Sequence, residues 1–156
     1  MSKSRELIDE FVSEQNPLGD GEEIRAVARV MPSADARKKM GRAAGLGGSG
    51  ALALLVSQSA SAKESFEHLS RNGYFAVATD RRLLFVSASP MKAHPEEVIG
   101  FISREEITSA TEGSTRVSLL KLVTASIECR NGSSVYCEFA KPDSDDGRAL
   151  IRALST

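Results

Sequence analysis

The sequence predicts a mainly β domain with helices, and three observations carry that expectation. Short apolar runs separated by a few polar residues follow one another from Tyr74 to Phe139, after an isolated run at Ile24 to Val30. An amphipathic segment closes the chain with Gly147, Leu150, Ile151 and Leu154 on one stripe. Many short strands followed by one helix indicate a barrel or sandwich with a helix attached. The chain also has 156 residues, 41% of them hydrophobic and 26% charged. That is globular composition, and a chain this long buries about two-thirds of its unfolded surface without help from disulfide or metal.

The first element is a helix within residues 1–16. Leu7, Ile8, Phe11 and Val12 recur at helical spacing, Ser4 is available as N-cap, and Asn16-Pro17 is the stop. Its apolar stripe has two candidate seats, the body of the same domain or a second copy. The main domain then spans 22–154. Ile24, Ala26, Ala28 and Val30 alternate with Arg25 and Arg29, which predicts a strand with one dry face, ended by Pro32. An insertion follows at 33–72: a short basic helix to about Arg42, then a Gly-rich helical stretch from Ala43 to Ala62 with no charge at all.

The second half reads as strands. Tyr74 to Thr79 and Leu83 to Ser87 flank Asp80-Arg81-Arg82, the shape of a tight hairpin without the glycine that favoured two-residue turns carry. Val98 to Ile102 and Glu106 to Ala110 are two further short strands across Arg104-Glu105. Val117, Leu119, Val123, Ala125, Ile127 and Cys129 keep one parity, as do Val135, Cys137 and Phe139, and both sets are expected to face the same core. A two-residue loop at Asn131-Gly132 would send these two sets to opposite faces. The expected loop is therefore three or five residues, pairing Cys129 with Val135 and Ile127 with Cys137. That register sets the two thiols on a diagonal about 7 Å or more apart, at or beyond disulfide reach, so both are expected free. The acidic run Pro142-Asp143-Ser144-Asp145-Asp146 suits the first turn of the closing helix. The expected core includes Ala76, Ala78, Phe85, Ile127, Cys129, Cys137, Phe139, Leu150 and Leu154.

The stretch Gly73-Tyr74-Phe75-Ala76-Val77-Ala78-Thr79-Asp80-Arg81-Arg82-Leu83-Leu84-Phe85-Val86 resembles the hydrophobic-x-x-T-(D/N)-x-R-L-hydrophobic hairpin of bacterial pleckstrin-homology-like (PH-like) domains. Phe101-Ile102-Ser103-Arg104-Glu105-Glu106-Ile107 resembles the segment that follows in that family. The resemblance covers about residues 22 to 154. It implies a bent antiparallel barrel of two sheets and about seven strands, closed at one end by the C-terminal helix. The insertion of about forty residues departs from the family pattern, in which these strands are often joined more directly.

Chemistry is sparse. Lys and Arg number 20 against 21 Asp and Glu, and aromatics are 5% with no Trp, so neither charge nor stacking platforms favour nucleic acid. Cys129, Cys137, His68 and His94 lack metal-ligand spacing, and no metal is expected. Gly45-x-Gly47-x-x-Gly50 matches the dinucleotide fingerprint in letters, but no strand precedes it and no acidic residue follows at a strand end, so no cofactor is expected. The paired acids Glu22-Glu23, Glu96-Glu97, Glu105-Glu106 and Asp145-Asp146 are neighbours in sequence and do not by themselves converge on one atom. No Gly-x-Ser-x-Gly elbow is present. The expectation is a non-enzymatic protein, with no catalytic residue. The N-terminus carries no apolar secretory region, which points to the cytoplasm.

Binding features concentrate in the insertion. Arg37, Lys38, Lys39 and Arg42 are the dense basic cluster, a candidate anion- or lipid-binding site. Lipid-binding relatives in the superfamily grip head groups from the corresponding loop and from the second strand, but Tyr74 to Thr79 carries no basic residue. Leu46, Leu52, Leu54, Leu55 and Val56 are candidates for self-association, because an exposed patch of that size marks an interface and the intervening small residues allow close approach. Residues 43–62 are expected to order on protein, on a second subunit ahead of the chain's own barrel. The expected function is a PH-like binding or oligomerisation module with a homo-oligomeric or protein partner. The alternative is a peripheral module at the inner face of the membrane, with the basic cluster on anionic lipid and Leu52 to Val56 inserted. A nucleotide-dependent enzyme comes third.

Overall fold

A computed structural model describes residues 2–31, 73–89, 92–132 and 134–155 of the chain. The insertion at 33–72 lies outside the described residues, and with it Arg37, Lys38, Lys39, Arg42, Leu46, Leu52, Leu54, Leu55, Val56 and the glycine motif.

Seven strands are described. β1 (Ile24–Val30), β2 (Tyr74–Thr79), β3 (Arg82–Ala88) and β4 (Pro95–Ser103) form one antiparallel sheet in chain order, and β5 (Ile107–Val117), β6 (Leu120–Cys129) and β7 (Ser134–Phe139) form a second. Among the described residues these strands make two sheets and no closed barrel. Their β1 and β7 ends meet where the Met31 N–H donates to the Glu138 carbonyl at 3.0 Å. The inner faces share one core, in which Val30, Ala76, Phe85 and Ile102 pack with Ile127, Val135, Cys137 and Phe139. A C-terminal helix, α2 (Ser144–Ser155), completes that core with Gly147, Leu150, Ile151 and Leu154. Every residue of the expected core is buried.

The N-terminal helix, α1 (Lys3–Gln15), seats its stripe in cis on the back of the first sheet. Ile8 and Phe11 pack with Val27, Phe75, Val77, Leu84 and Val86. This second layer explains why β2 is buried at all six positions, and it corrects the expectation that β1 has one dry face. A strand covered on both sides reads as a continuous apolar run, as Tyr74 to Thr79 does. The cap is also shifted, because the Ser2 hydroxyl accepts from the Arg5 N–H at 3.1 Å while Ser4 lies buried inside the helix. Asn16 ends the helix in the left-handed region with φ 47°, its N–H bonded to the Val12 carbonyl.

Two further expectations change. The parity run from Val117 to Cys129 is broken by a turn at Ser118-Leu119, which leaves Val117 and Leu119 exposed. Ser118 has φ 59°, the positive value a type II′ turn requires at its first central residue. A residue that is seldom left-handed gave no turn signal, and the parity of the apolar positions runs on through it by coincidence. In the β6–β7 hairpin Ile127 pairs with Val135 and Ala125 with Cys137, two residues away from the expected register. A two-residue slip keeps every side chain on its face, so burial was foreseen where pairing was not. The turn closes early because the Gly132 N–H bonds back to the Cys129 carbonyl, with Gly132 at φ 86°. Cys129 instead pairs with Ile107 of β5, and both cysteines are buried with no disulfide between them.

Gly147 of α2 lies close against Phe139 of β7. A Cβ built there would lie 2.5 Å from the Phe139 ring, which is itself fully buried. Gly147→Ala will therefore destabilise the protein by about 1–3 kcal/mol through overpacking, although alanine is the better helix former by about 1 kcal/mol. Urea unfolding of the two proteins measures it, and a more stable variant would show that the ring gives way freely.

Candidate functional site

The residues that carry the family resemblance form a structural lock. Thr79, Asp80, Arg81 and Arg82 make a two-residue hairpin without positive φ, and the Thr79 hydroxyl takes over the work of a glycine turn by accepting from the N–H groups of Arg81 and Arg82 at 3.1 and 3.0 Å. The same hydroxyl donates to Glu22 Oε1 at 2.8 Å. Arg82 grips both oxygens of Glu22, at 2.8 and 3.0 Å, and reaches the Pro17 carbonyl at 3.1 Å. Its guanidinium also lies 4.9 Å from the Phe101 ring centroid. Hydrogen bonding from Arg82 holds the Glu22 carboxyl down at about 2. Asp80 and Glu23 exchange a second pair of bonds, and Arg81 donates to the Asp20 carbonyl at 2.7 Å. The motif thus ties the α1–β1 link to the β2–β3 turn, and its charges are engaged in the fold.

The paired acids do not converge. Glu22 belongs to the lock, Glu23 faces Arg25, and Asp145 faces Arg148. Among the described residues no three His, Cys, Asp or Glu side chains cluster as a metal site would. The Cys137 sulfur lies 3.4 Å from the Tyr74 hydroxyl, and burial pushes its pKa up to about 11. A thiol held protonated in the core is a packing group.

What remains for function is the surface of the second sheet. Val117, Leu119 and Leu120, 46%, 92% and 57% exposed, form an apolar tip on the β5–β6 hairpin between Arg116 and Lys121. Beside it a cleft of about 480 Å³ opens between that hairpin and the start of α2, lined by Glu112, Ser114, Lys121, Lys141, Ser144 and Arg148 among others. Arg148 is shared between Glu112 and Asp145 at 3.4 and 3.3 Å. Lys121 and Lys141 have no ion pair among the described residues, which leaves the cleft cationic. Neither surface was foreseen. Lys121 and Lys141 lie twenty positions apart and meet only because β6 and β7 pair.

Comparison with solved structures finds a similar chain described as a pleckstrin homology domain from Shewanella amazonensis SB2B, with 11% identity and a TM-score of 0.48 over 93% of this chain and 96% of that one. No family model matches the chain, and no curated protein matches it.

Proposed function

We propose that this chain is a non-enzymatic PH-like binding module that assembles with protein, a second copy or another chain, in the cytoplasm. The observation that carries the reading is the apolar tip. Val117, Leu119 and Leu120 are the large apolar side chains left exposed among the described residues, and they sit together at the end of a projecting hairpin. Clustered apolar exposure marks an interaction surface where scattered exposure does not. Leu46, Leu52, Leu54, Leu55 and Val56 of the insertion are proposed as a further self-association surface.

Solution mass tests this. Size-exclusion chromatography with light scattering should give a wild type heavier than 16.7 kDa, and Leu119→Ser should shift it toward the monomer without changing the melting temperature. Deleting Gly45 to Ser59 examines the insertion in the same way. A wild type that is monomeric alone and remains so with candidate partners would end the assembly reading.

A second reading is favoured by the cationic cleft: peripheral attachment to an anionic membrane through Lys121 and Lys141, with Arg37, Lys38, Lys39 and Arg42 adding charge. No helix among the described residues is long and apolar enough to cross a membrane. Flotation with anionic and neutral vesicles separates the two readings, since lipid attachment requires binding that Lys121→Glu weakens and added salt reverses.

A further inference from the structure

The outer edges of the two sheets are guarded unequally. β4 begins with Pro95 and its pairing with β3 is interrupted twice, features that discourage strand addition. β5 is longer, eleven residues, with eight of them exposed. Its pairing with β6 is regular from Ser109 to Val117, with no proline and no lysine within the strand. Among the described residues no strand pairs with its other side.

The direction of its free backbone groups follows from the hairpin. Val117 and Leu120 flank a two-residue turn and exchange both bonds, so alternate residues Arg116, Ser114, Glu112 and Ala110 turn their N–H and C=O groups away from β6. The Ala110 carbonyl agrees, because it accepts from the Ser155 hydroxyl of α2 at 3.1 Å. The open edge is therefore Glu112, Ser114 and Arg116.

Resting on the assembly reading above, we propose that β5 pairs antiparallel with β5 of a second copy about a two-fold axis at Ser114. This register places Glu112 opposite the partner's Arg116 and Arg116 opposite the partner's Glu112, so charge complementarity occurs twice and about six backbone bonds form across the edge. A two-fold at Glu112 or at Arg116 sets like charges face to face, and one at Gly113 leaves both charges opposite uncharged residues. The same register brings the exposed Leu119 level with the partner's Ser109. There the partner offers a shallow groove of about 320 Å³ lined by Arg104, Glu105, Ile107, Thr108, Leu154 and Ser155. One symmetry operation thus engages the open edge, the two charges and the apolar tip.

The test uses the full chain. Ser114→Cys should form an intermolecular disulfide under mild oxidation, since directly opposed hydrogen-bonded residues have Cα atoms about 5.5 Å apart, and Thr108→Cys should not. Glu112→Arg and Arg116→Glu should each raise the dimer Kd about tenfold, and the double variant should restore it. A wild-type dimer that ignores Ser114→Cys, Glu112→Arg and Arg116→Glu would overturn β5 pairing and leave the assembly reading standing. A wild type that is monomeric at every concentration would overturn the pairing and self-assembly together.

Discussion

Phe85→Ala will lower the free energy of unfolding by about 3–5 kcal/mol, a large share of the total of about 5–15 kcal/mol expected for a domain. Phe85 is fully buried at the centre of the inner face of the first sheet. Its strand neighbours are Ala76 on β2 and Gly100 on β4, so no side chain directly beside it is large enough to fill the space its ring would vacate. The ring also meets Tyr74 in a tilted contact, with centroids 5.7 Å apart and planes at 59°, and that contact is lost too. Tyr74 in turn touches Cys137 of the opposite sheet, so the cavity lies where the two sheets meet. Urea unfolding at neutral pH measures the cost, and a loss below about 1 kcal/mol would mean that the two sheets collapse onto each other more easily than this packing implies.

Arg82→Ala will cost about 3 kcal/mol, the lower end of the range for removing one partner of a buried pair. The Glu22 side chain is 1% exposed and keeps only the Thr79 hydroxyl and the Gly19 N–H, whereas Arg82 is 22% exposed and partly screened, which sets the value low. The pair also imposes a pH dependence. Glu22 is held at about 2 against an ordinary 4.5, so its contribution is fully present above pH 4.5 and is lost as the pH falls toward 2. In Arg82→Ala the carboxyl loses the largest cause of that depression, and the stability lost between pH 4.5 and 2 should shrink. Unfolding midpoints at pH 7, 4 and 2.5 for both proteins check this. Parallel pH profiles would show that Glu22 draws its stabilisation from elsewhere.

The sequence by itself determined the order of the elements and the inner-face residues of most strands, Val117 and Leu119 excepted. Alternation at period two is a local property of each strand. It therefore identified the inner faces of β2, β3, β6 and β7, and the stripe of α2, without knowledge of any partner. The turn after Thr79 was legible for a similar reason, since the Thr79 hydroxyl acts on a turn only two residues long, whereas the partners of Asp80, Arg81 and Arg82 at residues 17–23 lie about sixty positions away and came only with the fold. Tertiary structure decided the rest. The polar strand β5 carries almost no apolar alternation and exists because β6 supplies its hydrogen-bond partners, so only its first few residues were anticipated. The second dry face of β1 depended on where α1 docks, and the β6–β7 register depended on a backbone bond at Gly132 that composition does not encode. The cationic cleft was invisible because pairing distant strands creates a surface that is the property of no single segment, and the apolar tip was missed because the turn at Ser118-Leu119 carries no glycine and the apolar parity runs on through it.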